Sequence, residues 1–179
     1  VFSGTHIVNN REHGAWFDEA PDGRGGSTNI SFIGGSFENN GYIGTDTDKW
    51  AIRFTNCGYN GAHILGMYGT HFEGNTGKAS IWIEHDNYPG IYNIDADFLR
   101  NGSLYTTNEI LFDTTGDTKA VVNVRSGFNS VNGYTPDAGR RYIAEGTVTG
   151  TLHRINYLGS VFENSTEMPA VGDKSIVPQ

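Results

Sequence analysis

Five times along the chain a short β-forming run is followed by a Phe and then by an Asn-containing turn. The copies are NISFIGGSFENN (29–40), ILGMYGTHFEGN (64–75), GIYNIDADFLRN (90–101), AVVNVRSGFNSVN (120–132) and RINYLGSVFEN (154–164). The Phe residues stand at 37, 72, 98, 128 and 162, so successive copies are 35, 26, 30 and 34 residues apart. A weaker copy, VFSGTHIVNN, opens the chain with Ile7 in the Phe position. A repeat of this length implies a stack of similar units, each burying its apolar face against the next.

A second strand-like run lies between copies: GAWFDEA (14–20), WAIRFTN (50–56), ASIWIEHD (79–86), EILFDTT (109–115) and RYIAEGT (141–147). Gly, Asn and Asp turns separate the runs, and no segment carries apolar residues at helical spacing long enough for a crossover helix. The expected fold is all-β, a single-stranded parallel β-helix of about six coils forming one domain over 1–179. Because the chain opens in mid-coil and without Met, we expect a piece of a longer polypeptide.

Aligned on the Phe positions, the first runs give three further columns. They are Ile30, Leu65, Ile91, Val121, Ile155; then Ile33, Tyr68, Ile94, Val124, Leu158; then the small Gly35, Thr70, Ala96, Ser126, Ser160. Since alternate residues of a strand share a face, the columns beginning at 33, 35 and 37 are expected to point inward together. Asn39 or Asn40, Asn75, Asn101, Asn132 and Asn164 follow the Phe column and suit an internal amide ladder from turn to turn.

Composition excludes several functions. The net charge is −8 and no Lys/Arg cluster appears, which disfavours nucleic-acid binding. No apolar run is long enough to cross a bilayer as a helix. The single Cys57 cannot form an internal disulfide and reads as a packed thiol. No Walker loop, CxxC pair or G-x-S-x-G elbow is present, and no metal-ligand set is read.

If Phe17, Phe54, Ile83, Phe112 and Ala144 point inward, Asp18, Thr55, Glu84, Asp113 and Glu145 form an outward column. Trp16, Arg53, Trp82, Leu111 and Ile143 form its outward neighbour. Adjacent strands lie about 4.8 Å apart. That is close to the roughly 5 Å carboxylate pair of a retaining glycosidase, while carboxylates two strands apart approach the wider inverting spacing. Glu84 is the candidate general acid and Asp113 its partner, with Glu145 or Asp18 as the other choices. Trp82 and Trp16 are candidate platforms for sugar rings, and His85 is a candidate base near neutral pH. Arg140 and Arg141 in the 132–141 loop could meet acidic sugars. The loops 20–27 and 167–174 are further candidate binding insertions. Alternatively, the apolar outward column Trp16, Trp82, Leu111, Ile143 is a contact stripe facing a symmetry axis.

The xxFxxN turns and the uneven coils of 26 to 35 residues resemble the right-handed β-helix group of pectate-lyase-like enzymes and bacteriophage tailspikes. The long coils and lack of disulfides are most similar to a tailspike. That resemblance implies a homotrimer on a virion tail, or an extracellular protein, that binds and often cleaves bacterial surface polysaccharide. A secreted polysaccharide lyase is the rival reading. In that case the resemblance implies Arg53 as base beside acidic groups holding Ca²⁺, with Asp46 and Asp48 as another cation position. A non-catalytic shaft that grips glycan is the third.

Overall fold

The computed structural model describes residues 1–18, 29–41, 48–55, 57, 63–84, 90–101, 106–114, 120–131, 141–148, 154–158 and 161–162. These form fifteen strands and, among the described residues, no helix. The first five are β1 (Phe2–Ser3), β2 (His6–Val8), β3 (His13–Phe17), β4 (Ile30–Ile33) and β5 (Ser36–Glu38). Next come β6 (Trp50–Thr55), β7 (His63–Glu73), β8 (Gly77–Glu84), β9 (Gly90–Asn101) and β10 (Thr106–Thr114). The last are β11 (Ala120–Val124), β12 (Gly127–Val131), β13 (Arg141–Val148), β14 (Arg154–Tyr157) and β15 (Val161–Phe162).

The strands build two sheets, and every pairing is parallel. The first runs β1-β4-β7-β9-β11-β14, with β2 and β5 continuing toward β7 and with β12 and β15 beside β9. The second runs β13-β10-β8-β6-β3. Parallel neighbours need a crossover between them. Here the chain leaves the first sheet, adds one strand to the second and returns one position further on, so the second sheet occupies the place a helix takes in α/β folds.

The expected Phe column is present. Ile7 is in register with Phe37, Phe37 with Phe72, Phe72 with Phe98, Phe98 with Phe128 and Phe128 with Phe162. Phe37 and Phe72 stack at 5.0 Å and 5°, and Phe72 and Phe98 at 4.9 Å and 15°. All three are buried. Each such ring removes enough apolar area to contribute roughly 1.5–3 kcal/mol, with roughly 0.5–1.5 more for the ring pair.

The columns before the Phe differ from the expected alignment. Phe32, Met67, Ile94 and Val124 are buried, whereas Ile33 and Tyr68 are half exposed and point away from the core. Three glycines cause this. Gly34 and Gly35 both take positive φ (63° and 77°), and Gly69 takes 63°. They turn the backbone between the two halves of each strand and reset the inward-outward alternation. Gly69 is also an extra residue relative to β9, where Met67 pairs with Ile94 but Thr70 with Ala96. Further slips place Leu65 opposite Tyr92, Ile155 opposite Val122 and Tyr157 opposite Val124. The small column does hold for Thr70, Ala96 and Ser126, all buried, while Ser160 lies outside the described residues.

The Asn ladder is present at the first three turns. Asn10 Nδ2 donates to Asn40 Oδ1 at 2.7 Å, and Asn40 Nδ2 donates to Asn75 Oδ1 at 2.9 Å. Asn40 Nδ2 also reaches the Ile7 carbonyl at 2.9 Å, and Asn75 Nδ2 the Phe37 carbonyl at 2.8 Å. The residue before each ladder Asn takes the left-handed region: Asn9 (φ 58°), Asn39 (52°) and Gly74 (62°). This decides between the two Asn candidates of the second repeat. Asn39 makes the turn and is exposed, and Asn40 is buried in the ladder. Asn101 ends β9, whereas Asn132 and Asn164 lie outside the described residues.

The inward and outward assignment predicts a contrast in stability. Phe72→Ala should lower the free energy of unfolding by about 3–5 kcal/mol, and Ile33→Ala by well under about 1 kcal/mol. Urea unfolding followed by circular dichroism measures both; equal losses would contradict the assignment.

Candidate functional site

The outward face of the second sheet carries a cluster of rings and cations. It exists because the sheet bends. Ala51 and Ile52 are consecutive yet both belong to the core, so Trp50 and Arg53, three apart, share the outer face. The neighbouring strand makes room for the bend with Gly14, where a Cβ would stand 2.2 Å from the Ala51 carbonyl oxygen. In register, Trp16 lies beside Arg53, Arg53 beside Trp82 and Trp82 beside Leu111, while His13 lies beside Trp50.

Arg53 is the centre of this cluster. Its guanidinium carbon is 4.0 Å from the Trp82 ring centroid, 4.7 Å from Trp50 and 5.4 Å from Trp16. Nε donates to Glu84 Oε2 at 3.0 Å, and Nη2 donates to the same oxygen. Lys78 Nζ sits 3.7 Å from the Trp82 centroid. Cation–ring contacts of this kind contribute roughly 0.5–2 kcal/mol each, more where water is excluded. The indoles meet edge to face, Trp50 with Trp82 at 5.5 Å and Trp16 with Trp50 at 5.9 Å. The His13 ring lies flat on Trp50 at 3.7 Å and 8°.

Trp16 differs from its neighbours. It is 55% exposed, whereas Trp50, Trp82 and Leu111 are each 4% exposed. Its Nε1 donates to Thr55 Oγ1 at 2.8 Å, which fixes the orientation of an indole that water can reach. Three buried ring nitrogens in the cluster, His13 Nδ1, Trp50 Nε1 and Trp82 Nε1, have no hydrogen-bond partner among the described residues. A buried donor left unpaired costs roughly 1–3 kcal/mol.

These positions revise several sequence expectations. Trp82 is not an open sugar platform, because Arg53 and Lys78 cover it. The outward stripe does not survive as an exposed apolar surface, since Trp82 and Leu111 are buried and Ala144, not Ile143, pairs with Leu111. Arg53, the base of the lyase reading, is held by Glu84 and three indoles. Glu84 Oε2 receives two guanidinium hydrogen bonds, which does not suit an oxygen that must deliver a proton. Thr55, Glu84 and Asp113 are in register as expected. Glu145 is not: it pairs with Phe112, one position out of the acidic column, because β10 and β13 keep one offset from Asn108–Arg141 through Phe112–Glu145 that differs by a residue from the expected alignment. Asp18 is exposed just beyond β3. Arg141 opens β13 opposite Asn108, toward the other end of the strand from Glu145. His85, Arg140, Asp46 and the loops 20–27 and 167–174 lie outside the described residues. Cys57 is buried, and its thiol donates to the Phe17 carbonyl at 3.2 Å.

Trp50, His13 and Lys78 were missed as members of this face. Strict alternation through β6 assigns Trp50 to the core, and only the small residues at 14 and 51 hint at the bend. The first sheet has its own outward polar groups. His71 Nε2 lies 3.3 Å from Glu73 Oε2, Glu38 is in register with Glu73, and Asp97 with His71. A second amide row runs Asn156 to Asn123 to Asn93, with 2.7 Å at each step. Among the described residues no group of three or more His, Cys, Asp or Glu is arranged to hold a metal ion.

Comparison with protein-family models, with characterised proteins and with solved structures finds no match to this chain.

Burial holds the His13 imidazole below its ordinary pKa of 6.5; Lys49 and Arg53 push the same way, and Glu12 and Asp48 oppose them. As pH falls through 6.5, the unfolded chain takes up this proton before the folded one does. Stability contributed by neutral His13 is therefore present above 6.5 and declines below it. His13→Gln should flatten the pH dependence of the melting temperature in this range; an unchanged profile would show that His13 does not carry it.

Proposed function

We propose that this chain is a segment of a right-handed parallel β-helix that recognises a bacterial surface polysaccharide, in the manner of a phage tailspike. Its setting is a virion tail or the extracellular space, as part of a homotrimer. The two all-parallel sheets, visited alternately by the repeats, support the β-helical reading. The exposed Trp16 carries the functional one. An indole held at a fixed angle by Thr55 and backed by Arg53 offers a rigid apolar face to the C–H side of a sugar ring, and little conformational freedom is lost when it binds.

Binding is better supported than cleavage. Glu84 and Asp113 are neighbours in register, as a carboxylate pair requires. Yet the Arg53–Glu84 ion pair gives Glu84 a positioning task within the cluster. The lyase reading, with Ca²⁺ and Arg53 as base, has the same difficulty at Arg53.

The test presents the purified chain, with and without Ca²⁺, to a broad panel of bacterial surface and plant polysaccharides. Binding, new reducing ends and the ultraviolet absorbance of unsaturated sugars are read together. We expect binding that weakens at least about tenfold in Trp16→Ala, the loss of roughly 1.4 kcal/mol or more. Any reducing-end signal should vanish in Glu84→Gln if Glu84 is the acid, whereas unsaturated products would establish a lyase. No binding and no products would sink the proposal and favour a shaft, a reading supported by the exposed Ile33 and Tyr68 side by side on the outside of the first sheet.

A further inference from the structure

Next to the aromatic cluster lies a cleft of about 560 Å³ lined by Asn10, Arg11, Glu12 and His13. The lining joins donors and acceptors on four consecutive residues. Arg11 and Glu12 are exposed, with opposite charges. Asn10 commits its Nδ2 to Asn40 and keeps Oδ1 as an acceptor. His13 brings a buried Nδ1 without a partner among the described residues, and its ring is backed by Trp50.

Charge narrows the ligand. Among the described residues, the ionised groups that bear on His13 are Glu12, Asp48, Lys49 and Arg53, two of each sign. Among the described residues the lining charges balance, Arg11 against Glu12, which favours neither an anion nor a cation. Adjacent donors and acceptors of balanced charge match vicinal hydroxyls, where each O–H both gives and receives a hydrogen bond. His13 and Trp16 are three residues apart on one strand, which separates them by about 10 Å. One bound chain of sugars therefore reaches both.

We propose that this cleft is a second sugar subsite, taking an uncharged pyranose unit of the same polysaccharide whose neighbouring unit rests on Trp16. The proposal depends on the glycan-binding reading above and adds the location and charge of the second unit. Arg11 and Glu12 hold the vicinal hydroxyls, and His13 supplies the floor.

An array of oligosaccharides released from neutral and anionic bacterial polysaccharides tests it, using the whole chain and the variants Arg11→Ala, Glu12→Gln and Trp16→Ala. Arg11 and Glu12 are exposed, so their replacement leaves the fold intact, which a melting curve verifies. The expected result is binding to oligosaccharides with an uncharged unit, weakened about tenfold by either Arg11→Ala or Glu12→Gln. Binding that Trp16→Ala abolishes but both cleft variants leave unchanged would overturn the subsite and spare the Trp16 reading. Binding confined to fully anionic oligosaccharides would overturn the charge assignment. Absence of binding to every member would overturn both readings.

Discussion

In-register parallel pairing is the constraint on which the rest of this structure depends. When one repeat lies on the next at the strand spacing of about 4.8 Å, like side chains fall on like. Phe37, Phe72 and Phe98 then become a stack of rings, and Asn10, Asn40 and Asn75 become a chain of amides, each donating to the next. Neither arrangement is available to a single repeat. A lone Asn40 at this depth would bury an amide with little to bond, and the neighbouring turns supply what it lacks. The interior thus couples adjacent repeats through apolar contact and through hydrogen bonding at once.

The same constraint explains how much was legible in the residues. The Phe column was readable because Phe37, Phe72 and Phe98 each stand three residues before an Asn, and Phe128 and Phe162 stand four and two before theirs, whatever the length between copies. The ladder Asn was readable as one of two, since Asn39 and Asn40 differ only in which accepts positive φ. Columns further from the Phe were not, because Gly34, Gly35 and Gly69 reverse the alternation that a period-two reading assumes. Glu145 was misplaced by one residue because the β10–β13 pairing sets Ile110 against Ile143 and Phe112 against Glu145, an offset that two short apolar runs do not distinguish from the next one.

The outer face of the second sheet was half legible. Trp16, Arg53, Trp82 and Glu84 were identified as neighbours, and they are. Their roles were not, because a list of outward residues does not show what covers what. Arg53 lies over three indoles and binds Glu84, so the two residues expected to act on substrate also hold each other. Among the described residues of this face, Trp16 and the cleft beside His13 are accessible to solvent. Trp16 and His13 both belong to β3, whose neighbour β6 carries the Thr55 and Trp50 that orient them.

The most direct measurement of this account is the stability of Asn40→Ala beside that of Asn39→Gly. If the buried ladder joins the repeats, Asn40→Ala removes its bonds to Asn75 and to the Ile7 carbonyl and strands the Asn10 amide. It should cost about 3 kcal/mol of unfolding free energy, while Asn39→Gly, which keeps a residue suited to positive φ, should cost well under about 1 kcal/mol. A small and equal effect at both positions would mean that these Asn residues are surface turns, and the coupling between repeats would have to come from elsewhere.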